Sequence, residues 1–100
     1  MPDTPIVAIV QLRIRPGQVA AARETLAKSI PDTRAFPGCL NVTLLADNAD
    51  EQRITLVEEW ASLEHDRAYR KWRAGAGAVP GMADLFEGIP QFSQHTRIGE

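Results

Sequence analysis

Residues 39–60 carry the clearest fold signal of the chain, and they read Cys-Leu-Asn-Val-Thr-Leu-Leu-Ala-Asp-Asn-Ala-Asp-Glu-Gln-Arg-Ile-Thr-Leu-Val-Glu-Glu-Trp. The run 39–46 is mostly apolar, and the run 53–60 alternates, with Ile54 and Leu56 on one face. Both patterns predict β-strands. Because only a short polar stretch connects them, we expect the two strands to pair as an antiparallel hairpin.

A helix is predicted on each side of this hairpin. Upstream, residues 18–35 are rich in alanine and repeat apolar side chains at helical spacing. The residues with that spacing are Val19, Ala22, Leu26 and Ile30. Downstream, Ser62 is a typical helix N-cap, and the second helix is expected to run to about Ala74, before a glycine-rich segment.

The outermost segments complete the pattern with two more strands. Residues 6–15 alternate, with one wholly apolar face, and residues 91–98 form the fourth predicted strand. The order is therefore β-α-β-β-α-β. It predicts an α+β, ferredoxin-like domain over residues 1–100, with a four-stranded antiparallel sheet and two helices on one face.

Composition excludes several functions for a chain of this kind. Eleven basic and thirteen acidic residues give a net charge of -2, which disfavours a general nucleic-acid or anionic-membrane partner. The single cysteine excludes an internal disulfide and a cysteine-rich zinc site. The chain has no run of 18 apolar residues and no signal-peptide pattern at its start, so we expect no membrane span and a cytoplasmic location.

The sheet face away from the helices is expected to be partly apolar. Val7 and Ile9 lie on that face of the first strand, followed by Gln11, and the hairpin strands add further apolar residues. A sizeable exposed apolar patch usually marks an interface. We therefore predict a homodimer formed by these open faces, the alternative being an amphipathic face in contact with solvent.

Three motifs occur in order along the chain. They are Arg-Ile-Arg-Pro-Gly-Gln at 13–18, Pro-Gly-Cys at 37–39, and Val-Glu-Glu-Trp at 57–60, which is followed by Ser62. Together they resemble the antibiotic biosynthesis monooxygenase family of dimeric α+β barrel proteins, over roughly residues 6–98. This resemblance is more specific for fold than for reaction, because the fold supports many chemistries.

The resemblance implies a small homodimer that oxidises a phenolic, quinol or polyketide-like aromatic substrate with molecular oxygen. It implies no metal, flavin or other cofactor, and a pocket between the helices and the sheet. Many members carry a histidine nine residues after the tryptophan, where this chain has Tyr69, so that histidine's role does not carry over. Haem-degrading relatives place an asparagine where this chain has Val10, which disfavours haem degradation.

The second helix supplies most of the candidate catalytic residues. His65, Tyr69 and Trp72 share one face, at a spacing that suits either a buried stripe or a pocket of rings with polar tips. His95 in the fourth strand is the candidate base if its side chain faces the helices, although a strand histidine is more often packed or on the surface. We therefore predict Tyr69, Trp72 and His95 as catalytic.

Four further residues are candidates for substrate binding. Trp60 could stack on an aromatic substrate or simply anchor the core. Arg73 and Asn41 could donate hydrogen bonds to a substrate anion. Phe86 lies in the segment 75–90, whose glycines suggest a mobile cover over a pocket.

The charged residues have simpler interpretations. Glu58 and Glu59 must point to opposite faces of their strand, so one should form an internal ion pair, for example with Arg13 inside a dimer. The second helix also carries a basic run, which we expect to be a solvated face. This run comprises Arg67, Arg70, Lys71 and Arg73.

Three functions remain in competition. The first is an oxidoreductase acting with oxygen on an aromatic ring. The second is a non-catalytic ligand-binding or stress-related module on the same scaffold, which the missing family histidine favours. The third, an RNA-recognition module with the same element order, is disfavoured because the first strand has no aromatic residue and the net charge is negative.

Overall fold

The computed structural model describes residues 4–99, in which four strands form a single sheet. The elements are β1 (Ile6–Arg13), α1 (Val19–Ala35), β2 (Cys39–Ala46), β3 (Arg53–Trp60), α2 (Leu63–Ala74), a 3-10 turn (Ala83–Leu85) and β4 (Gln91–Thr96). The sheet order is β2-β3-β1-β4, and every neighbouring pair is antiparallel. This arrangement confirms the predicted ferredoxin-like α+β fold.

The register of β1 fixes which side chains face the helices. Ile6, Ala8 and Leu12 are buried beneath the helices, while Val7 and Ile9 point to the opposite, open face and are half-buried. In β3 the same helix-facing row continues from the apolar positions to Glu58, which lies opposite Ala8. The chain thus places a carboxylate in the layer between sheet and helices.

Two groups of side chains fill that layer. The aliphatic cluster joins β1, α1, β2 and β3 through Leu12, Ile14, Ala22, Leu26, Ile30, Val42, Ile54 and Leu56. The aromatic cluster contains Ile6, Ala8, Trp60 and Tyr69, with Phe36 and Trp72 packed against them. Ala22, Leu26 and Ile30 of the apolar stripe predicted for α1 are therefore part of the core.

The first and last strands of the chain are shorter than predicted. β1 ends at Arg13, because the next residues bond elsewhere: Ile14 forms an isolated bridge with Phe86, and the Arg15 amide donates to the Leu85 carbonyl at 2.9 Å. β4 ends at Thr96, and its side chains are all exposed. The residues just after β1 thus pair with Leu85 and Phe86, which precede β4.

Ser62 caps α2 as predicted. Its hydroxyl accepts a hydrogen bond from the His65 amide at 3.2 Å and lies 2.6 Å from Nδ1 of the same residue. Within residues 4–99, no helix combines the length and the apolar character needed to cross a membrane.

Candidate active site

A cavity of about 350 Å³ lies between the helices and the helix-facing side of the sheet. Its volume is within the range of small-molecule sites. Aliphatic side chains of β1, α1 and β3 form the floor, and the segment 78–90 forms one side. The polar residues in its wall are Ser29, Thr33, Glu58, Tyr69, Arg70 and Arg73.

Tyr69 lies at the boundary between the aromatic cluster and the cavity. Its ring is buried and packs on Trp60 with the centroids 4.7 Å apart. Its hydroxyl is 2.8 Å from Thr33 Oγ1 and accepts a hydrogen bond from Arg73 Nε, also at 2.8 Å. Thr33 Oγ1 also lies 3.3 Å from the Ser29 carbonyl, and either hydroxyl can be the donor in the bond between Thr33 and Tyr69.

Arg73 connects the two helices at this point. Its Nη2 donates to the Ser29 carbonyl at 3.0 Å and to Thr33 Oγ1 at 2.9 Å, while Nη1 donates to the Gly77 carbonyl at 3.1 Å. Its guanidinium also lies 4.7 Å from the centre of the Trp72 ring. The positive charge is thus held beside the cavity by neutral acceptors.

Arg70 forms the second charged group in the cavity wall. Its Nη2 donates to Glu58 Oε1, and its Nε donates to Asp66 Oδ1 at 2.9 Å. Gln94 donates to the other oxygen of Asp66 at 2.6 Å, and the Trp60 indole donates to Glu58 Oε1 at 3.3 Å. Both carboxylates are almost completely buried, and charged groups in such places are normally paired.

The internal ion pair therefore differs from the sequence-based prediction in its partner. Arg13 belongs to the open-face row of β1 and cannot reach the helix-facing Glu58. It instead pairs with Asp50 at 2.9 Å and Glu87 at 3.5 Å. The prediction that the basic run of α2 is a solvated face is wrong in part, because Arg70 and Arg73 point into the cavity wall, whereas Arg67 and Lys71 are exposed.

The two tryptophans lie behind the cavity rather than in its wall. Trp60 has no exposed surface and contacts Phe36 and Tyr69. Trp72 is half-buried and lines a separate groove beside Gly77 and Val79. Both rings support the ring of Tyr69, at centroid distances of 4.7 Å for Trp60 and 6.1 Å for Trp72.

Phe86 is half-buried and lines the cavity from the segment that precedes β4. The backbone on either side of it is held to β1, because the Glu87 amide donates to the Arg13 carbonyl at 2.7 Å. The backbone hydrogen bonds of the segment 78–83 are local, and this segment places Ala78, Val79 and Met82 over the cavity.

His95 and Asn41 lie on the open face, away from this cavity. The register pairs His95 with Val7, so the side chains of β4 that face the helices are Phe92, Gln94 and Thr96. Asn41 follows a bulge in β2 and donates to Glu59 Oε2 at 3.3 Å. The structure brings Tyr69, Arg73 and Phe86 together at one cavity and leaves these two residues apart from it.

Sequence reasoning did not single out Glu58, Arg70, Asp66 and Thr33 as site residues. A signal for Glu58 was present, because the alternation that buries Ile54 and Leu56 also turns Glu58 inward. The other three are helical residues whose inward direction depends on how the helices pack. Among residues 4–99, no group of histidine, cysteine, aspartate and glutamate side chains is arranged to hold a metal ion.

Together, the elements define a ferredoxin-like α+β protein with a cavity of small-molecule size under its helices. The sequence profile of the family described as antibiotic biosynthesis monooxygenase matches residues 5–78. The chain belongs to that family. No curated protein is similar enough to count as a match.

Solved structures share the fold at low sequence identity. The protein PA3566 from Pseudomonas aeruginosa is 21% identical, with a TM-score of 0.84 over 99% of both chains. The protein NE2512 from Nitrosomonas europaea, of unknown function, is 20% identical, with a TM-score of 0.82 over 100% of this chain and 95% of that one. SnoaB from Streptomyces nogalater, a cofactor-independent oxygenase, is 12% identical, with a TM-score of 0.81 over 96% and 95%.

Proposed function

We propose that this chain is a monooxygenase that oxidises a phenolic, quinol or polyketide-like aromatic substrate with molecular oxygen and without a cofactor. The observation that carries the proposal is the cavity, which combines an aliphatic floor with two guanidinium groups and a buried carboxylate. Membership of the family and the shared fold with a cofactor-independent oxygenase support the same reaction class.

The chemistry needs the protein to remove a proton and to hold the anion that remains. For an activated ring methylene, the electrons then pass from the substrate anion to oxygen. One oxygen atom becomes the new carbonyl, and the other leaves as water with the two hydrogens, so the substrate supplies all four electrons. Arg70 and Arg73 would stabilise the anion from the cavity wall.

Tyr69, Arg73 and Phe86 form the part of the predicted site that we carry into this proposal. Phe86 and the aliphatic floor would contact the rings of the substrate, while Tyr69 and Arg73 would supply polar groups beside it. Trp60 and Trp72 would act through the position of the Tyr69 ring. His95 and Asn41 have no part in the proposed site, because they lie on the other face.

We further propose that the protein works as a homodimer formed by the open faces. Half-buried Val7, Ile9 and Val57 lie together there, and Leu45, which is 46% exposed, lies on the same face of β2. Light scattering at micromolar concentration should give twice the mass of the chain. A monomer under those conditions would contradict this part of the proposal.

Oxygen uptake by the purified, metal-stripped protein tests the reaction. The substrates are hydroquinones, anthrones and catechols, with autoxidation subtracted. We expect protein-dependent uptake that falls about tenfold or more in Tyr69→Phe and by less in Trp72→Phe, since only Tyr69 lines the cavity. Lys71→Ala, on the exposed side of the same helix, should match the wild-type protein.

A non-catalytic ligand-binding module is the second candidate, and one observation favours it. The Tyr69 hydroxyl is buried and already bonded to Thr33 and Arg73, as in a structural network. Saturable binding of the same compounds without oxygen uptake would select this candidate and reject the oxygenase.

A further inference from the structure

The two carboxylate oxygens of Glu58 have different surroundings. Oε1 accepts hydrogen bonds from Arg70 and from the Trp60 indole, whereas Oε2 has no hydrogen-bond partner among residues 4–99. No buried polar side-chain atom in that range lacks a partner, so Oε2 must retain accessible surface. Since Glu58 is only 2% exposed and lines the cavity, we assign that surface to the cavity.

We infer that Glu58 is the residue that accepts the substrate's proton, through Oε2, in the reaction proposed above. This inference rests on the proposed function, because it assigns a role within that reaction. A general base must present a free lone pair to the substrate from a fixed position. Arg70 and Trp60 fix the carboxylate through Oε1 and leave Oε2 available.

Other candidate bases are less suitable in this structure. Both oxygens of Asp66 are occupied, one by Arg70 and the other by Gln94, and the residue has no exposed surface. The Tyr69 hydroxyl is already hydrogen-bonded to Thr33 and accepts from Arg73. His95 lies on the open face of the sheet.

The proton-transfer step is balanced without a further reactant. The bond between the acidic hydrogen and the ring carbon or phenol oxygen breaks, and its electron pair stays on the substrate as an anion. The proton bonds to Oε2, so Glu58 becomes neutral. Arg70 then has one fewer anionic partner in the protein, which leaves its charge available to the new substrate anion.

Hydrogen exchange under argon isolates this step from oxidation. Anthrone, whose ring methylene is acidic, is incubated in D2O with each protein, and deuterium incorporation is followed by mass spectrometry. We expect the wild-type protein to accelerate incorporation above the buffer rate. Glu58→Gln, which keeps the size of the side chain but cannot take the proton, should lose about a hundredfold or more of that acceleration.

Binding and fold are measured alongside exchange. The dissociation constant of anthrone, from quenching of tryptophan fluorescence, should change by no more than about threefold in Glu58→Gln, because its effect is confined to proton transfer. Glu51→Gln, an exposed glutamate in the β2–β3 loop, is the matched control and should exchange like the wild-type protein. Equal loss of binding and exchange in Glu58→Gln would overturn the inference.

A second variant covers the case in which Glu58→Gln does not fold. Glu58→Asp keeps the charge for Arg70 but withdraws the carboxylate by one carbon–carbon bond. A displacement of that size should reduce exchange about a hundredfold if Oε2 takes the proton. An exchange rate at the wild-type level in either folded variant, or no acceleration by the wild-type protein, would overturn the inference.

The inference and the proposed function fail in different ways. Accelerated exchange that needs Glu58, together with no oxygen uptake in air, would reject the oxygenase and retain the proton transfer. Oxygen uptake that persists unchanged in Glu58→Gln would retain the oxygenase and reject the role of Glu58.

Discussion

The layer between helices and sheet is built differently at its two ends. At the aromatic cluster, the rings of Phe36, Trp60, Tyr69 and Trp72 pack with centroids 4.7–6.1 Å apart, and Trp60 has no exposed surface. At the aliphatic cluster, smaller side chains leave a cavity of about 350 Å³ beside Leu12 and Leu26. One end is closely packed, and the other holds space for a ligand.

Under the proposed function, this difference would place stability and binding in separate parts of one small domain. Large rings bury much apolar area and gain further from edge-to-face contacts, so the aromatic end should stabilise the fold. The cavity end loses some of the packing energy that a filled core would supply. Tyr69 and Arg73 lie where the two ends meet, so rigid packing on one side can hold polar groups for the other.

Truncation of a ring at each end should therefore give unequal losses of stability. Trp60→Ala removes a fully buried ring and should reduce the free energy of unfolding by about 3–5 kcal/mol. Phe86→Ala removes a half-buried ring from the cavity wall and should reduce it by about 1–2 kcal/mol. Urea unfolding followed by circular dichroism measures both values, and similar losses would contradict the division between the two ends.

Gly77 provides a sharper test at the boundary of the aromatic cluster. A Cβ atom built at this residue overlaps the indole of Trp72, so Gly77→Ala must displace that ring. Gly77→Ala should reduce the free energy of unfolding by about 1–3 kcal/mol. It should also weaken the binding of aromatic ligands, because Arg73 donates a hydrogen bond to the Gly77 carbonyl. Gly75→Ala is the control, since a Cβ atom built at Gly75 lies 3.6 Å from its nearest neighbour, the Lys71 carbonyl oxygen. Equal effects of the two variants would argue against the overlap.

Local pattern was sufficient for the elements of the fold. The bounds of β2 and β3 agree with the prediction to the residue, because strand alternation and a polar connection are properties of neighbouring residues. β1 was predicted to extend to Arg15, but Ile14 bridges to Phe86, a residue far along the chain. Such a contact leaves no local signal.

The candidate site was predictable only where a strand determined the direction of a side chain. The alternation of β3 fixes Glu58 inward, but its partner Arg70 comes from a helix whose basic run resembles a solvated face. Tyr69 was found from its helical spacing, whereas its partner Thr33 is 36 residues away. The sequence does not show which side chains of β4 face the helices, and only the pairing with β1, which places Phe92 opposite Val10, determines this.

The smallest expected effect concerns Cys39, which packs against the aromatic cluster. Burial raises the pKa of the Cys39 thiol, and the negative charge of Glu58 raises it further. Because the thiolate is the reactive form, alkylation by iodoacetamide at pH 8 should be slower in the folded protein than in urea. Glu58→Gln removes the second cause, which lowers the pKa of Cys39, and should accelerate alkylation about two- to fivefold. Glu51→Gln, at the far end of the hairpin, should leave the rate unchanged; an unchanged rate in Glu58→Gln as well would mean that Arg70 fully neutralises Glu58.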